Sequence, residues 1–314
     1  MKQLMMLATL LIFIACQHKE NRSKGTRVKE MSSLALSLST DSLADNVNGS
    51  VVPEAINNGA NSAATISLCS WNLLNFGSTK SDAEIDFIAH TVTGYDIVLI
   101  QEVVAVDDGG AQAVSRLAAV LNRKGAKWHY AVSDPTVSSA YKTERYAYLW
   151  QASRVSLVGK PWLEQQYKTE IDREPYYATF KAGSRSFTLA NFHAITKSKQ
   201  PEREVKYFKF LPAQYPDLGI IFCGDFNLPQ THTVFNPLKK MGYKPALTGQ
   251  KTSLKQECIQ DNCLASEFDN FFFHANKFSL VASGAIHFYR SFADMREARK
   301  ISDHVPVFFK FRIE

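Results

Sequence analysis

The chain has 314 residues, 45% of them hydrophobic, enough to bury one large core. Its formal net charge of +6 draws it weakly toward polyanions, so charge alone is minor support for nucleic-acid binding. Its five cysteines lack the spacing and histidine partners of a zinc motif, which excludes a zinc-built domain.

Residues 1–16 have the layout of a signal peptide: Lys2, an apolar run from Leu4 to Ile14 too short to span a bilayer, then Ala15 and Cys16. Phe13-Ile14-Ala15-Cys16 resembles a bacterial lipobox, which makes Cys16 the expected lipidated residue of an exported lipoprotein. A buried core segment is the alternative reading. Residues 17–64, rich in Ser, Asn and charge, read as a flexible tether, and 65–314 as the folded domain. The residue after the lipobox, Gln17, is not the aspartate associated with inner-membrane retention, so the expected address is the cell envelope, with the outer membrane ahead of the inner. Cys258 and Cys263, close together in a polar loop, are the expected disulfide. Cys69 and Cys223 lie in apolar runs and are expected as buried thiols.

From Ile66 onward strand-like and helix-like stretches alternate without a second linker or an internal repeat. Ser81-Asp82-Ala83-Glu84 is a capping-box pattern, and Ile85, Ile88, Ala89 and Val92 follow at helical spacing. A strand is expected at Asp96 to Gln101, then a helix through Val114, Leu117 and Leu121 that stops near Gly125. Strands follow at Tyr146 to Trp150, Tyr177 to Lys181 and Phe187 to Phe192. The next helix is expected from Pro201, with Val205, Phe208 and Leu211 as its buried stripe. Late strands are placed at Leu218 to Cys223, Phe268 to Phe273, Ala285 to Tyr289 and Val305 to Phe311. So many strands among a few helices point to two packed sheets with helices outside, with the topology left open.

The fragments that carry chemistry are Trp71-Asn72, Gln101-Glu102, Glu144-Arg145-Tyr146, Arg173-Glu174-Pro175, Asn191-Phe192-His193, Gly224-Asp225-Phe226-Asn227, Asp269 and Ser302-Asp303-His304. In this order they resemble the endonuclease/exonuclease/phosphatase superfamily over residues 66–311. Within it, Phe76 to Lys80, Tyr141 to Tyr146, Arg173-Glu174-Pro175 and His193-Ala194 are similar to deoxyribonuclease I. The resemblance implies an α/β fold, a four-layer αββα sandwich of two mixed sheets flanked by helices. It implies a metal-dependent phosphodiesterase, an endonuclease acting on DNA, with the choice between DNA and RNA left open.

On the same resemblance Asn72, Glu102 and Asp303 are metal ligands for Mg²⁺, with Mn²⁺ as substitute and Ca²⁺ as support, hard ions that suit oxygen donors. Glu144 orients and charges His193, Asp269 does the same for His304, Asp225 handles the nucleophilic water, Asn227 assists, and Arg173 faces the substrate phosphate. Without that resemblance Glu102 reads equally well as an exposed carboxylate, Asn72 and Asn227 as turn caps, Arg173 as a surface ion pair, and the histidines as structural.

Tyr146 continues the alternating stripe Tyr146, Tyr148, Trp150 and reads as core. Lys197, Lys199, Arg203, Lys206 and Lys209 read first as a solvated helix face, with attraction to a phosphate backbone as the second reading. One departure bears on substrate. Deoxyribonuclease I has minor-groove arginines two residues after the asparagine and two after the glutamate, where this chain has Leu74 and Val104. Two rival functions stand beside the nuclease: a phospholipid or sphingolipid phosphodiesterase on the same fold, and a noncatalytic nucleic-acid-binding lipoprotein.

Overall fold

The computed structural model describes residues 65–138 and 143–314, which belong to one compact unit. The signal peptide, Cys16, the tether and the pair Tyr141-Lys142 lie outside the described residues.

In chain order the elements are β1 (Ile66–Phe76), α1 (Asp82–Val92), β2 (Ile97–Val104), α2 (Gly109–Arg123), β3 (Trp128–Val132), β4 (Glu144–Gln151), β5 (Ser156–Leu163), β6 (Tyr176–Ala182), β7 (Arg185–His193), α3 (Glu202–Val205), α4 (Leu211–Gln214), β8 (Ile220–Asp225), α5 (Asn236–Lys240), β9 (Tyr243–Pro245), β10 (Leu254–Ile259), β11 (Asn262–Leu264), β12 (Asp269–His274), β13 (Phe278–Ala285), α6 (Met295–Ile301) and β14 (Val307–Ile313). One six-stranded sheet runs β13-β14-β1-β2-β4-β3 and the other β5-β6-β7-β8-β12-β9. Both are mixed, with β1–β2 and β7–β8 as parallel pairs.

The layering follows from strands that are apolar on both faces. Leu68, Ile97, Leu99, Ile221 and Cys223 point into the space between the sheets, where Phe309, Phe271 and Phe180 also pack. Their neighbours Cys69, Val98 and Ile100 turn the other way, onto α1, α2 and α6. Ile220 and Phe222 turn onto α3 and α4. Because successive side chains alternate between faces, a continuous apolar run is buried on both and must be covered on both. The expected four-layer sandwich is the observed fold.

The predicted capping box is present, with the Ser81 hydroxyl accepting from the Glu84 N–H and the Glu84 carboxylate accepting from the Ser81 N–H. The expected helix from Pro201 breaks into α3, a 3-10 turn over Lys206–Lys209, and α4. Val205, Phe208 and Leu211 are nevertheless all buried. They recur every third residue, the period of a 3-10 helix. The strand expected at Ala285 to Tyr289 is also corrected, since β13 ends at Ala285 and Phe288–Ser291 is a 3-10 turn. Phe288 leaves the sheet to pack on Trp71, with ring centroids 5.1 Å apart. The alternation of Ala285, His287 and Tyr289 mimicked a strand. Cys258 and Cys263 are disulfide-bonded across β10 and β11, and Cys69 and Cys223 are buried free thiols.

Candidate active site

One end of the sandwich gathers the polar residues. Asn72 is paired in register with Gln101, Val104 with Glu144, His193 with Asp225, and Asp225 with Asp269, so six strands deliver their side chains to the same rim. Asp303 and His304 arrive from the link between α6 and β14, which the isolated bridge Ser253–His304 ties down. Polar groups on loops at the end of a rigid sheet are the usual construction of a site.

The backbone bends to make this possible. Glu102 has φ 59° and Asn227 φ 51°, left-handed values uncommon for residues with a side chain. Glu102 sits where the register of β2 shifts against β4, between Ile100 and Val103, and such a bulge re-aims a side chain. Gly224 has φ 126°, and a Cβ there would lie 2.0 Å from the Phe192 carbonyl oxygen. Only glycine fits, and its close approach sets Asp225 beside His193.

Two histidines converge on one aspartate. His193 Nε2 lies 3.5 Å and His304 Nε2 3.7 Å from Asp225 Oδ2. Each is held from behind through Nδ1: His193 by the Glu144 carboxylate at 3.0 Å, His304 by Asp269 Oδ2 at 2.7 Å. Such a bond fixes the ring and leaves Nε2 facing the site. Burial pushes the His304 pKa down, but Asp269 and Asp225 outweigh it and raise the group to about 10. Burial and the Arg173 charge depress His193, and Glu144 with Asp225 reverse the balance, leaving it raised. For Glu144 burial works upward and the His193 and Arg173 charges work downward; the net shift is downward.

The amide of Asn72 donates to Glu102 Oε1 at 3.0 Å and to Asp225 Oδ2 at 3.3 Å, which brings these three together. Asp225 Oδ1 accepts the Asn227 N–H, and the Asn227 amide donates to the Ala194 carbonyl at 3.0 Å. Asn227 thus shapes the turn after Asp225.

Two residues make ion pairs that the sequence did not announce. The Asp303 carboxylate pairs with Arg299 at 3.5 Å, one turn back along α6. Arg173 turns inward, donating to Glu144 Oε2 at 3.1 Å and to the Ala194 carbonyl. Burial beside a carboxylate captures the guanidinium that the resemblance had aimed at a phosphate, although its Nε remains without a partner.

Oxygen donors suited to a hard cation are present. Asp225, Asp269 and His304 offer ligand atoms within 4.8 Å of one another, and Asp269 Oδ1 is buried with no hydrogen-bond partner. Asn72, Glu102 and Asp225 form a second set that shares Asp225 with the first.

Several supporting residues were not assigned roles from the sequence. The Ser302 hydroxyl donates to the Asn72 carbonyl and accepts the His304 N–H. Thr252 Oγ1 accepts the Phe268 and Asp269 N–H groups. Between the sheets Gln101 Nε2 donates to Ser70 Oγ and to Asn191 Oδ1, joining β1, β2 and β7 beneath the rim. Lys80, buried, donates to the carbonyls of Lys300 and Ile301, where the end of α6 carries partial negative charge. Tyr146 is core as expected, and its hydroxyl also donates to the Arg173 carbonyl and accepts the His193 N–H. For Ser302, Gln101 and Asn191 the signal was their adjacency to Asp303, Glu102 and His193.

Residues 69–304 match the Endonuclease/Exonuclease/phosphatase family. A deoxyribonuclease of Thioalkalivibrio sp. (strain K90mix) is 26% identical over 270 residues, spanning 79% of this chain and 71% of the relative. Deoxyribonuclease-1 of Canis lupus familiaris is 28% identical over 268 residues, 78% of this chain and 91% of the relative. An endonuclease/exonuclease/phosphatase family protein of Bacteroides thetaiotaomicron shares the fold with a TM-score of 0.60 at 17% identity, covering 80% of this chain and 99% of that one. The chain belongs to the endonuclease/exonuclease/phosphatase family and is a hydrolase acting on phosphodiester bonds.

Proposed function

We propose that the chain is a metal-dependent endonuclease of the deoxyribonuclease I type that cuts DNA outside the cytoplasm, held to the cell envelope by a lipid on Cys16, with residues 17–64 as tether and 65–314 as the hydrolytic domain. The observation that carries the chemistry is the pair of carboxylate-backed histidines meeting at Asp225. That relatives at 26% and 28% identity are deoxyribonucleases supports DNA as the substrate. A lipoprotein layout at residues 1–16 supports the location.

In this reading the scissile phosphate sits against the Nε2 atoms of His193 and His304. The carboxylates behind both imidazoles favour their cationic form, which lets each donate a charge-assisted hydrogen bond to a phosphoryl or leaving oxygen, strongest in the transition state. Asp225, the one carboxylate both rings face, orients the attacking water and takes its proton. Asn72, Glu102 and Asp303 would hold the divalent cation through hard oxygen donors, leaving Asp225 free for the water. When bound, Mg²⁺ or Mn²⁺ neutralises charge growing on the phosphoryl and leaving oxygens. Arg173 braces Glu144 and the turn after His193.

The test offers the full chain duplex DNA, single-stranded DNA, RNA and sphingomyelin, with Mg²⁺ or EDTA. Hydrolysis of DNA with Mg²⁺ and none in EDTA is expected. Full activity in EDTA, or preference for sphingomyelin, sinks the reading. Fractionation of Cys16→Ser checks the anchor separately: the variant leaves the membrane fraction while its activity persists.

A further inference from the structure

We propose that the segment from Lys197 to Phe210 is a second substrate surface: a basic, aromatic platform on which an unpaired nucleic-acid strand lies as it leaves the hydrolytic centre. This rests on the nuclease reading and narrows its substrate to strands with exposed bases.

The rim positions Leu74 and Val104 carry no charge, so grip on a phosphate backbone must come from elsewhere. It is available directly after His193. Lys197, Lys199, Arg203, Lys206 and Lys209 line this segment, and of the two interleaved glutamates Glu204 is buried, leaving only Glu202 on the surface. Three aromatic rings accompany the cations. Tyr167 and Phe210 are stacked, with centroids 6.0 Å apart and planes 24° apart, and Tyr207 lies 5.2 Å from Tyr167. Lys206 Nζ is 5.1 Å from the Tyr207 ring centre and Lys209 Nζ 4.8 Å from that of Phe210.

Tyr167 and Tyr207 pack partly against the core beneath the segment, whose fully buried anchor is Phe208, set against Phe192, Phe222 and Phe226. Phe210, by contrast, is 44% exposed. An exposed ring with an ammonium beside it, next to a second stacked ring, provides both the π-face a base stacks on and the charge a phosphate follows. Duplex DNA offers no free base faces to such a surface; a single strand does.

Glu204 links the platform to the chemistry. Its buried carboxylate accepts the N–H of Ile195, two residues beyond His193, and the N–H of Asp172, next to Arg173. From Glu204 to Phe210 the short turns advance roughly 12 Å at about 2 Å per residue, the length of some three or four stacked nucleotides.

The test measures anisotropy of an end-labelled oligothymidylate of about twelve nucleotides in EDTA, where no turnover intervenes. Three full-length proteins are compared: the wild type, Tyr207→Ala/Phe210→Ala, and Lys206→Glu/Lys209→Glu, whose surface charges leave packing untouched. The aromatic variant is expected to bind about tenfold more weakly. The charge variant is expected to bind more weakly and to show a flatter salt dependence. Hydrolysis of bis(p-nitrophenyl) phosphate, too small to reach the platform, should be equal in all three. Equal oligothymidylate affinity across the three overturns the proposal, as does a parallel loss of the small-substrate activity. A loss of heparin binding in the aromatic variant matching its loss of oligothymidylate binding overturns the stacking role. If the wild type cuts no phosphodiester but the binding differences stand, the hydrolytic reading fails and the platform survives.

Discussion

The two histidine arms reach the same Asp225 oxygen, yet they are built from different surroundings. Behind His193, Glu144 is shared with the buried Arg173, so one carboxylate answers to two cations. Behind His304, Asp269 binds no cation but the histidine, and its second oxygen has no partner. The difference teaches that a histidine's charge is set as much by what competes for its carboxylate as by the carboxylate itself. The His304 arm holds its proton firmly, whereas the His193 arm is tensioned by a permanent cation.

The strongest way to break the comparison is to remove each ring. His193→Ala and His304→Ala should each cost about two orders of magnitude or more in kcat, with little change in thermal stability. Near-wild-type turnover in either variant would make that histidine structural. Next come the carboxylates. Glu144→Gln and Asp269→Asn should each lower kcat about tenfold, but Glu144→Gln also strands Arg173 in the interior and should cost about 3 kcal/mol in chemical denaturation. Equal stability of the two variants would deny the asymmetry.

Both histidines act on the alkaline side and Glu144 on the acid side. His304 has its folded pKa raised, so its stabilisation is complete below about pH 6.5 and is lost as pH rises toward about 10. His193, raised as well, is lost in the same direction. Glu144 has its folded pKa lowered, so its contribution is present above its unfolded pKa and is lost as acid titrates the folded carboxyl. Melting curves in EDTA should show His304→Ala flattening the alkaline decline and Glu144→Gln flattening the acid one. The smallest effect is expected for Arg173→Lys, which keeps the charge and loses the fork: a few-fold fall in kcat confined to the His193 arm. A much larger fall, appearing in KM, would return Arg173 to the phosphate.

How much of this was legible in sequence depended on distance along the chain. The rim residues announced themselves because each rides on a short run with its own pattern, such as Gly224-Asp225-Phe226-Asn227. The sandwich followed from two-sided apolar strands. The Arg173–Glu144 link was silent because no local signal joins residues 29 positions apart. The Gln101–Asn191 link spans 90 positions and is equally silent. Glu204 sits in a charged run where nothing distinguishes a buried clamp from a solvated face. The segment from Pro201 failed as one helix because its apolar residues step by three, and the short pieces that resulted expose Phe210.

The far-flung bonds at the rim also dictate a schedule. Trp71 Nε1 donates to the His304 carbonyl across 233 positions, and Ser302 Oγ to the Asn72 carbonyl across 230, while β14 inserts between β13 and β1. A chain made from its N-terminus folds its early parts first. Here Asn72 can pair with β2 early, but its carbonyl and the Trp71 indole find their partners only when Ser302 and His304 have been made. The rim is therefore among the last parts of the domain to be completed.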